Sequence, residues 1–233
     1  MFSAIVKAFR QLADPATRKV LWLSLGATLA AFAVLIFIVE WLITRTQLFE
    51  WATLDLAADI LGGVGAFVIS ILLFPAVAMA VMGFFLEDVA AAVEAKYYPE
   101  LPDARAQPMS EQVITGLRFA ALTAGLNLLA LPLYAVFTFV PPLNLILFYG
   151  LNGFLLGREF FELVALRRMD PRAAAVLRHV FAGRLLLAGI LITFLSSVPF
   201  LNLLTPVVAT AFMVHIVEGF RGRAAGHPAA GRA

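Results

Sequence analysis

The chain has 233 residues, of which 62 % are hydrophobic and 14 % charged, and its mean hydropathy is +0.94. Soluble domains are nearer half apolar and a quarter charged, so this composition excludes a soluble globular protein and indicates an integral membrane protein. Because the chain has no cysteine, disulfides, thiol nucleophiles and thiolate metal sites are excluded. The formal net charge is only +2, so the positions of the charges are more informative than their sum.

The first predicted element is a short amphipathic helix over residues 1–13 that lies in the membrane interface. Its large apolar residues recur at helical spacing: Phe2, Ile5, Val6, Phe9 and Leu12. Asp14 and Pro15 then predict the start of a new helix, because aspartate is a good N-cap and proline suits the first helical position. The charge-free run 20–39 makes this second element a long transmembrane helix, which we place at 15–46.

A second long transmembrane helix is predicted over residues 56–97. Its charge-free part, 60–86, is longer than one bilayer crossing needs and contains Pro75, which favours a kinked or tilted helix. Residues 87–96 keep helical composition and apolar spacing, so the helix is expected to continue out of the membrane. Pro99 ends it.

Two apolar blocks that are interrupted by proline follow, and they predict two helical hairpins, at 119–166 and 184–220. The hexads 140–145 (VPPLNL) and 198–203 (VPFLNL) share five of six residues at an offset of about 58 positions, which indicates an internal repeat. Arms of the second hairpin have about 14 to 17 residues, less than a 30 Å hydrocarbon core requires, and favour a re-entrant hairpin. The alternative is that the two hairpins consist of four ordinary spanning helices. For the first hairpin, the re-entrant and the spanning arrangements are equally well supported.

Basic residues mark the cytoplasmic side. Arginine and lysine are concentrated before the first long helix, between the hairpins and after the second hairpin, whereas the loop between the long helices has one arginine among four acidic residues. By the positive-inside rule that loop is outside and both termini are cytoplasmic. Asp170 as N-cap and Pro171 at the first helical position predict a further, cytoplasmic helix at 170–182. We expect one membrane domain over 1–221, and a disordered tail over 222–233.

Sequence signatures of enzymes are lacking: the histidines are scattered, and the chain has no zinc-protease, esterase or phosphate-loop motif. We therefore predict that the protein is not an enzyme, and we expect no cofactor, metal ion or nucleic-acid partner. His215 is a polar residue near the end of the last apolar block, where it is either functional or a residue at headgroup level.

Other polar residues also have two interpretations. Arg158, Glu159 and Glu162 form intrahelical pairs as a helix leaves the membrane, or Arg158 contacts an anion or locks two helices together. Asn144 and Asn202 cap the helices that start after the prolines, or offer amide donors to a solute at the hairpin tip. For both groups the structural interpretation is favoured.

The segment Asp14–Val20 is the best candidate for an oxyanion site. Arg18 and Lys19 follow a predicted helix start, where backbone N–H groups also favour an anion. Arginine supplies a planar fork and lysine a point charge, a combination that suits sulfate or phosphate oxygens. The alternative is that these cations only flank the first membrane helix, as the positive-inside rule requires.

The chain resembles the CysZ sulfate permeases and the wider membrane-protein family that includes the etoposide-induced proteins. The resemblance covers nearly the whole chain, and it is densest in 156–162 (LGREFFE) with Arg167 and Arg168, and in 198–203 with Pro206, Ala211 and His215. It implies an inner-membrane protein that imports sulfate for cysteine synthesis, forms homo-oligomers, and has two long helices with two partly penetrating hairpins. In the family's sulfate-binding motif, Thr17 takes the hydrophobic position, Arg18 the arginine and Lys19 the next base, while Ala16 replaces a glycine.

The leading hypothesis is therefore an oligomeric, multi-pass permease or channel for sulfate or a related oxyanion in the bacterial inner membrane. The candidate sulfate-binding residues are Ala16, Thr17, Arg18 and Lys19, and the hairpins line the path. The alternative is a membrane scaffold or accessory protein of the same family without transport activity.

Overall fold

A computed structural model describes residues 2–45, 85–199, 201–224 and 226. The helices in these ranges are α1 Phe2–Gln11, α2 Pro15–Arg45, α3 at 85–97, α4 Met109–Phe137, α5 Pro141–Ala165, α6 Pro171–Val180, α7 Ala182–Ser197 and α8 Leu201–Ala224. No strand occurs in this part of the chain, which confirms the all-α prediction. Most of the long helix predicted at 56–97 and most of the tail predicted at 222–233 lie outside the described residues.

The chain forms two compact units, of which one runs over 15–86 and the other combines 1–14 with 87–233. In the first unit, the described helix is α2, which has 31 residues and a length of about 46 Å. It begins at Pro15, as the Asp-Pro pair predicts. Its exposed large side chains include Trp22, Leu29 and Phe37, which suit contact with lipid.

In the second unit, α8 is the central helix and α4 lies at the outside. The most apolar stretch of α8 is 72 % buried by protein, against 6 % for that of α4. Both are long and apolar enough to cross a membrane, and α6 and α7 together would make a third crossing if counted as one broken span. Because α4 buries only Ala130 and exposes a continuous apolar surface, its surroundings in the membrane are lipid or another protein surface.

The two hairpins are formed by α4 with α5 and by α7 with α8, and their arms differ in length from the prediction. The first hairpin begins earlier than predicted, because α4 starts at Met109 and has 29 residues. In the second hairpin α7 has 16 residues, about 24 Å, but α8 has 24 residues. The expected arm length of 14 to 17 residues was therefore wrong for α8, which stays helical beyond the apolar block through Glu218 and Arg221.

Three glycines allow α5 and α7 to pack backbone against backbone. Gly153 and Gly157 are one turn apart on α5 and face Gly189 on α7. A Cβ at Gly157 would lie 2.8 Å from the carbonyl oxygen of Leu185, and one at Gly189 would lie 2.7 Å from the backbone N of Gly157. Small residues spaced by four bring membrane helices into close contact in this way, and here they join one hairpin to the other.

Helix α1 packs on α8 and buries small residues, while its two phenylalanines are exposed. Its buried positions are Ala4, Ala8 and Gln11, whereas Phe2 is 83 % exposed and Phe9 37 % exposed. A face with phenylalanines that protein does not cover, next to basic residues, is typical of a helix that lies in a membrane interface. The amphipathic helix therefore uses two surfaces, one for α8 and one for the surroundings.

Candidate functional site

The start of α2 presents two adjacent cations. Thr17 is fully buried, whereas Arg18 and Lys19 are exposed in the first turns of the helix. Backbone N–H groups of a first helical turn lack intrahelical acceptors, and the helix dipole adds a partial positive charge there. A guanidinium, an ammonium and these N–H groups on one helix end can together bind a tetrahedral oxyanion.

A second polar cluster joins α5 to α6. Arg158 Nε donates to Glu162 Oε1 at 2.8 Å, as expected for residues four apart on a helix. Arg178 of α6 donates to the same oxygen, so Glu162 links the two helices. Glu159 is exposed and takes part in none of the ion pairs of the described residues. The favoured intrahelical pairing of Arg158 is observed, and the lock between helices is formed through Arg178.

A third cluster encloses a buried carboxylate. Glu94 of α3 is 4 % exposed and accepts hydrogen bonds from Arg167 Nη2 at 3.1 Å and from Arg168 at 2.5 and 3.1 Å. Arg168 also donates to the carbonyl oxygen of Pro102. Arg167 also lies 4.0 Å from the carboxylate of Glu87, which is exposed. Glu94 is the buried carboxylate that both guanidinium groups share, so each of these ions depends on the others. The cluster ties α3 to the end of α5.

The loop that follows α3 is held in place by Arg105. Its backbone N donates to the carbonyl oxygen of Arg167 at 2.8 Å, and its side chain donates to the carbonyl oxygen of Leu166 and forms an ion pair with Glu111. The hydrogen bond to the Glu111 carboxylate raises the pKa of Arg105. The loop therefore lies against the end of α5, next to the Glu94 cluster.

His215 of α8 lies in an aromatic cluster. Its Nδ1 is hydrogen-bonded to the Tyr98 hydroxyl at 2.9 Å, and the Tyr97 ring meets it edge-on at 4.9 Å between centroids. Lys7 and Lys96 lie within 5.6 Å of the Tyr97 ring, so the cluster brings α1, α3 and α8 together. Burial, followed by the charge of Glu218, raises the pKa of Tyr98 to about 12. These contacts give His215 a packing role in the protein interior.

Asn144 of the repeat does not cap the helix that follows the prolines. Val140 is the N-cap of α5 and no side chain caps this helix start, so the capping prediction for Asn144 was wrong. Asn144 is in the first turns of α5, where Pro141 fills the first helical position and makes a cap less necessary. Asn202 is exposed in the first turn of α8.

In contrast, the predicted cap of the helix between the hairpins is confirmed. Asp170 Oδ1 accepts from the backbone N–H groups of Arg172 and Ala173 at 2.8 and 3.0 Å. These two hydrogen bonds lower the pKa of Asp170, the one from Ala173 having the larger effect. Helix α6 then begins at Pro171.

Sequence reasoning missed Glu94, Tyr97, Tyr98 and the glycine contact, although each had a signal. Val89, Ala90 and Val93 are fully buried, and their helical spacing places Glu94 on the same face. The pair Gly153 and Gly157 has the small-xxx-small spacing of membrane helix contacts. No sequence pattern identified Gly189 as the partner of the α5 glycines, or His215 as the partner of the two tyrosines. These contacts join segments that are far apart in the chain.

Comparison with known proteins gives a family but no individual relative. A family profile described as sulfate transporter CysZ/etoposide-induced protein 2.4 matches residues 4–206, from α1 to the first turns of α8. No curated protein and no solved structure matches the chain. The match covers most of the chain, includes Arg18 and Lys19, and agrees with the multi-pass helical architecture. The chain therefore belongs to the sulfate transporter CysZ/etoposide-induced protein 2.4 family.

Proposed function

We propose that this protein is an inner-membrane sulfate permease that imports sulfate for cysteine biosynthesis. Membership of a transporter family supports a role in membrane transport or a related process. The observation that carries the narrower proposal is the exposure of Arg18 and Lys19 at the start of α2. Exposed cations can receive an oxyanion from water without the large desolvation cost of a buried charge.

Binding at this helix start should be weak and reversible. Conduction needs a site that attracts the ion and still releases it, which two exposed cations satisfy better than an enclosed cage would. Thr17, the residue before them, is fully buried, so the exposed part of this helix start consists of the two cations. Ala16 replaces the glycine of the family motif, so we expect Ala16→Gly to bind sulfate at least as tightly as the wild type, because loss of the Cβ opens the backbone to the anion.

The assembly we propose is a homo-oligomer with both termini in the cytoplasm. The exposed apolar surface of α4 is available for lipid or for a second copy. Basic residues at the ends of the membrane helices support the orientation by the positive-inside rule. We favour passive or gradient-driven flux, because the sequence lacks an acidic relay within its apolar blocks.

Uptake of radiolabelled sulfate into proteoliposomes tests the proposal. We expect uptake above that of empty liposomes, and a reduction of about tenfold or more in the Arg18→Ala/Lys19→Ala variant, since each cation contributes on the order of 1 kcal/mol to anion attraction. The matched control is Arg10→Ala/Arg172→Ala, which removes the same charge from two other exposed positions and should change uptake less than twofold.

The two parts of the proposal fail separately. Uptake equal to that of empty liposomes would refute transport and support a scaffold or accessory role. Uptake and sulfate binding that are unchanged in Arg18→Ala/Lys19→Ala, or reduced equally in the control, would refute the assignment of the site while leaving transport intact.

A further inference from the structure

A groove with a volume of about 730 Å³ lies between α6 and the C-terminal end of α8. It forms because α6 and α7 meet at an angle of 89° at Phe181, which turns α6 away from the axis of α7. The Phe181 ring stacks on Phe220 of α8, with 4.3 Å between the centroids and 5° between the planes. This aromatic pair fixes one wall, and the volume is in the range of small-molecule sites, about 300 to 1,000 Å³.

The wall formed by α6 is apolar. Ala173, Val176, Leu177 and Val180 line the groove, one turn apart along the helix. Val176 is 65 % exposed and Val180 is 69 % exposed, whereas Leu177 is buried. Two exposed β-branched side chains at positions i and i+4 present a strip of apolar surface to whatever occupies the groove. An apolar chain that covers this strip would gain from its removal from water.

The rim of the groove is basic. Arg168, Arg221 and Arg223 border it. Arg168 is bound to Glu94 and Arg221 Nη1 donates to both oxygens of Glu218, at 2.7 and 2.8 Å. Arg223 is exposed and takes part in none of the ion pairs within the described residues. Arg168 and Arg221 each pair with a carboxylate, so the positive charge of the rim comes from Arg223.

We propose that this groove binds one anionic phospholipid, with an acyl chain against the α6 valines and its phosphate at Arg221 and Arg223. A free sulfate or phosphate ion would satisfy the arginines but leave the apolar wall uncovered. A neutral lipid would cover the apolar wall but leave the charge of the arginines without a counterion. Arginine forks match phosphate oxygens, and basic pockets at the ends of membrane helices favour acidic headgroups. The α8 side of the groove lies beyond residues 4–206, the range of the family match, and the inference does not rest on sulfate transport.

Native mass spectrometry of the full-length protein in detergent tests the proposal. The two probes are dioleoyl-phosphatidylglycerol and dioleoyl-phosphatidylcholine, which have the same acyl chains and differ in headgroup charge. We expect one phosphatidylglycerol to bind per chain, at least tenfold more tightly than phosphatidylcholine. Arg221→Gln/Arg223→Gln should weaken phosphatidylglycerol binding about tenfold and leave phosphatidylcholine binding unchanged, because each arginine near a lipid phosphate adds to the attraction.

Two further variants separate the apolar and ionic parts. Val176→Gln/Val180→Gln keeps the arginines and should weaken phosphatidylglycerol binding at least fivefold by making the strip polar. Arg10→Gln/Arg172→Gln removes two exposed arginines that do not line the groove, and should leave binding within twofold of the wild type. Melting temperatures of all variants, measured in the same detergent, show that each remains folded.

Several results would overturn the proposal. Equal affinity for the two lipids, or an equal effect of the Arg10→Gln/Arg172→Gln control, would exclude a specific headgroup site. Displacement of the lipid by millimolar inorganic phosphate would identify a site for a free anion. A more than tenfold gain in lipid affinity on deletion of residues 227–233 would show that the C-terminal segment occupies the groove. A dimer that Val176→Gln/Val180→Gln dissociates would show that a second copy of the chain occupies it.

Discussion

The contact between α5 and α7 should fail if a single methyl group is added at Gly189. A Cβ there would lie 2.7 Å from the backbone carbon of Gly153 and 2.7 Å from the N of Gly157, where ordinary contact begins at 3.4 Å. The carbonyl oxygen of Gly153 would be closer still, so relief requires the helices to separate by more than about 1 Å, because backbone atoms cannot rotate aside. A gap of about 0.5 to 1 Å already loses about a quarter to a half of the dispersion energy of each affected contact, and this gap is larger.

The expected destabilisation for Gly189→Ala is about 1 to 3 kcal/mol, the usual cost of overpacking. Intrinsic helix propensity predicts the opposite sign, since alanine is favoured over glycine by about 1 kcal/mol in a helix. Gly150→Ala, on the partner helix α5, is the matched control: its Cβ would meet nothing within 4 Å, so that variant should be neutral or slightly more stable.

Denaturant unfolding of the purified protein in detergent, followed by circular dichroism, measures both changes. We expect a lower unfolding midpoint for Gly189→Ala and for Gly157→Ala, whose Cβ would lie 2.8 Å from a carbonyl oxygen. The reasoning is refuted if Gly189→Ala is as stable as Gly150→Ala, because the close approach of the two backbones would then not be present.

Three other predictions concern single side chains. Glu94→Gln should lower the free energy of unfolding in detergent by about 3 to 5 kcal/mol, because it removes the buried carboxylate that Arg167 and Arg168 share. The exposed Glu100→Gln should change it by less than about 0.5 kcal/mol, and similar values for both variants would contradict a buried cluster. For Tyr98, the raised pKa means that the folded state favours the neutral phenol, so its contribution to stability is complete below pH 10 and is lost as the pH rises toward 12. Absorbance titration at 295 nm should show one late-ionising tyrosine that Tyr98→Phe removes, and an unchanged titration curve would argue against its burial. Asp170→Ala should speed hydrogen exchange at the Ala173 amide, and unchanged exchange in this variant would exclude the cap. In the wild type, protection of the same amide should fade as the pH falls below 3.8, because the hydrogen bonds that the carboxylate accepts lower its pKa.

Local sequence rules were most successful at helix ends. Pro15 and Pro171 each begin a helix as predicted, and Asp170 caps the second of these helices, because proline and aspartate act within one turn of their own position. The same rules failed at Asn144, where two prolines already supply the helix start and the amide is one turn too late to cap it. Length estimates failed for α8, because a helix continues beyond its apolar residues when neighbouring helices pack against its polar end.

At the candidate site, too, features that are local in the sequence could be predicted and contacts between distant segments could not. Arg18 and Lys19 are close in sequence, so their presence on one helix end follows from the chain alone. The partners of Glu94 are Arg167 and Arg168, more than 70 residues away, and no local pattern pairs them. The groove between α6 and α8 likewise depends on the bend at Phe181, which a helical periodicity does not predict.

The sequence by itself determined the membrane class, the all-α fold, the repeated hairpin and the basic start of α2, because composition, periodicity and local capping act over a few residues. Tertiary structure decided which faces are used. It places Ala4 and Ala8 against α8 while Phe2 remains outside, and it brings Gly189 onto Gly153. These choices depend on the packing of segments that are distant in sequence, where shape and the pairing of buried charges select one arrangement from many that the same apolar helices allow.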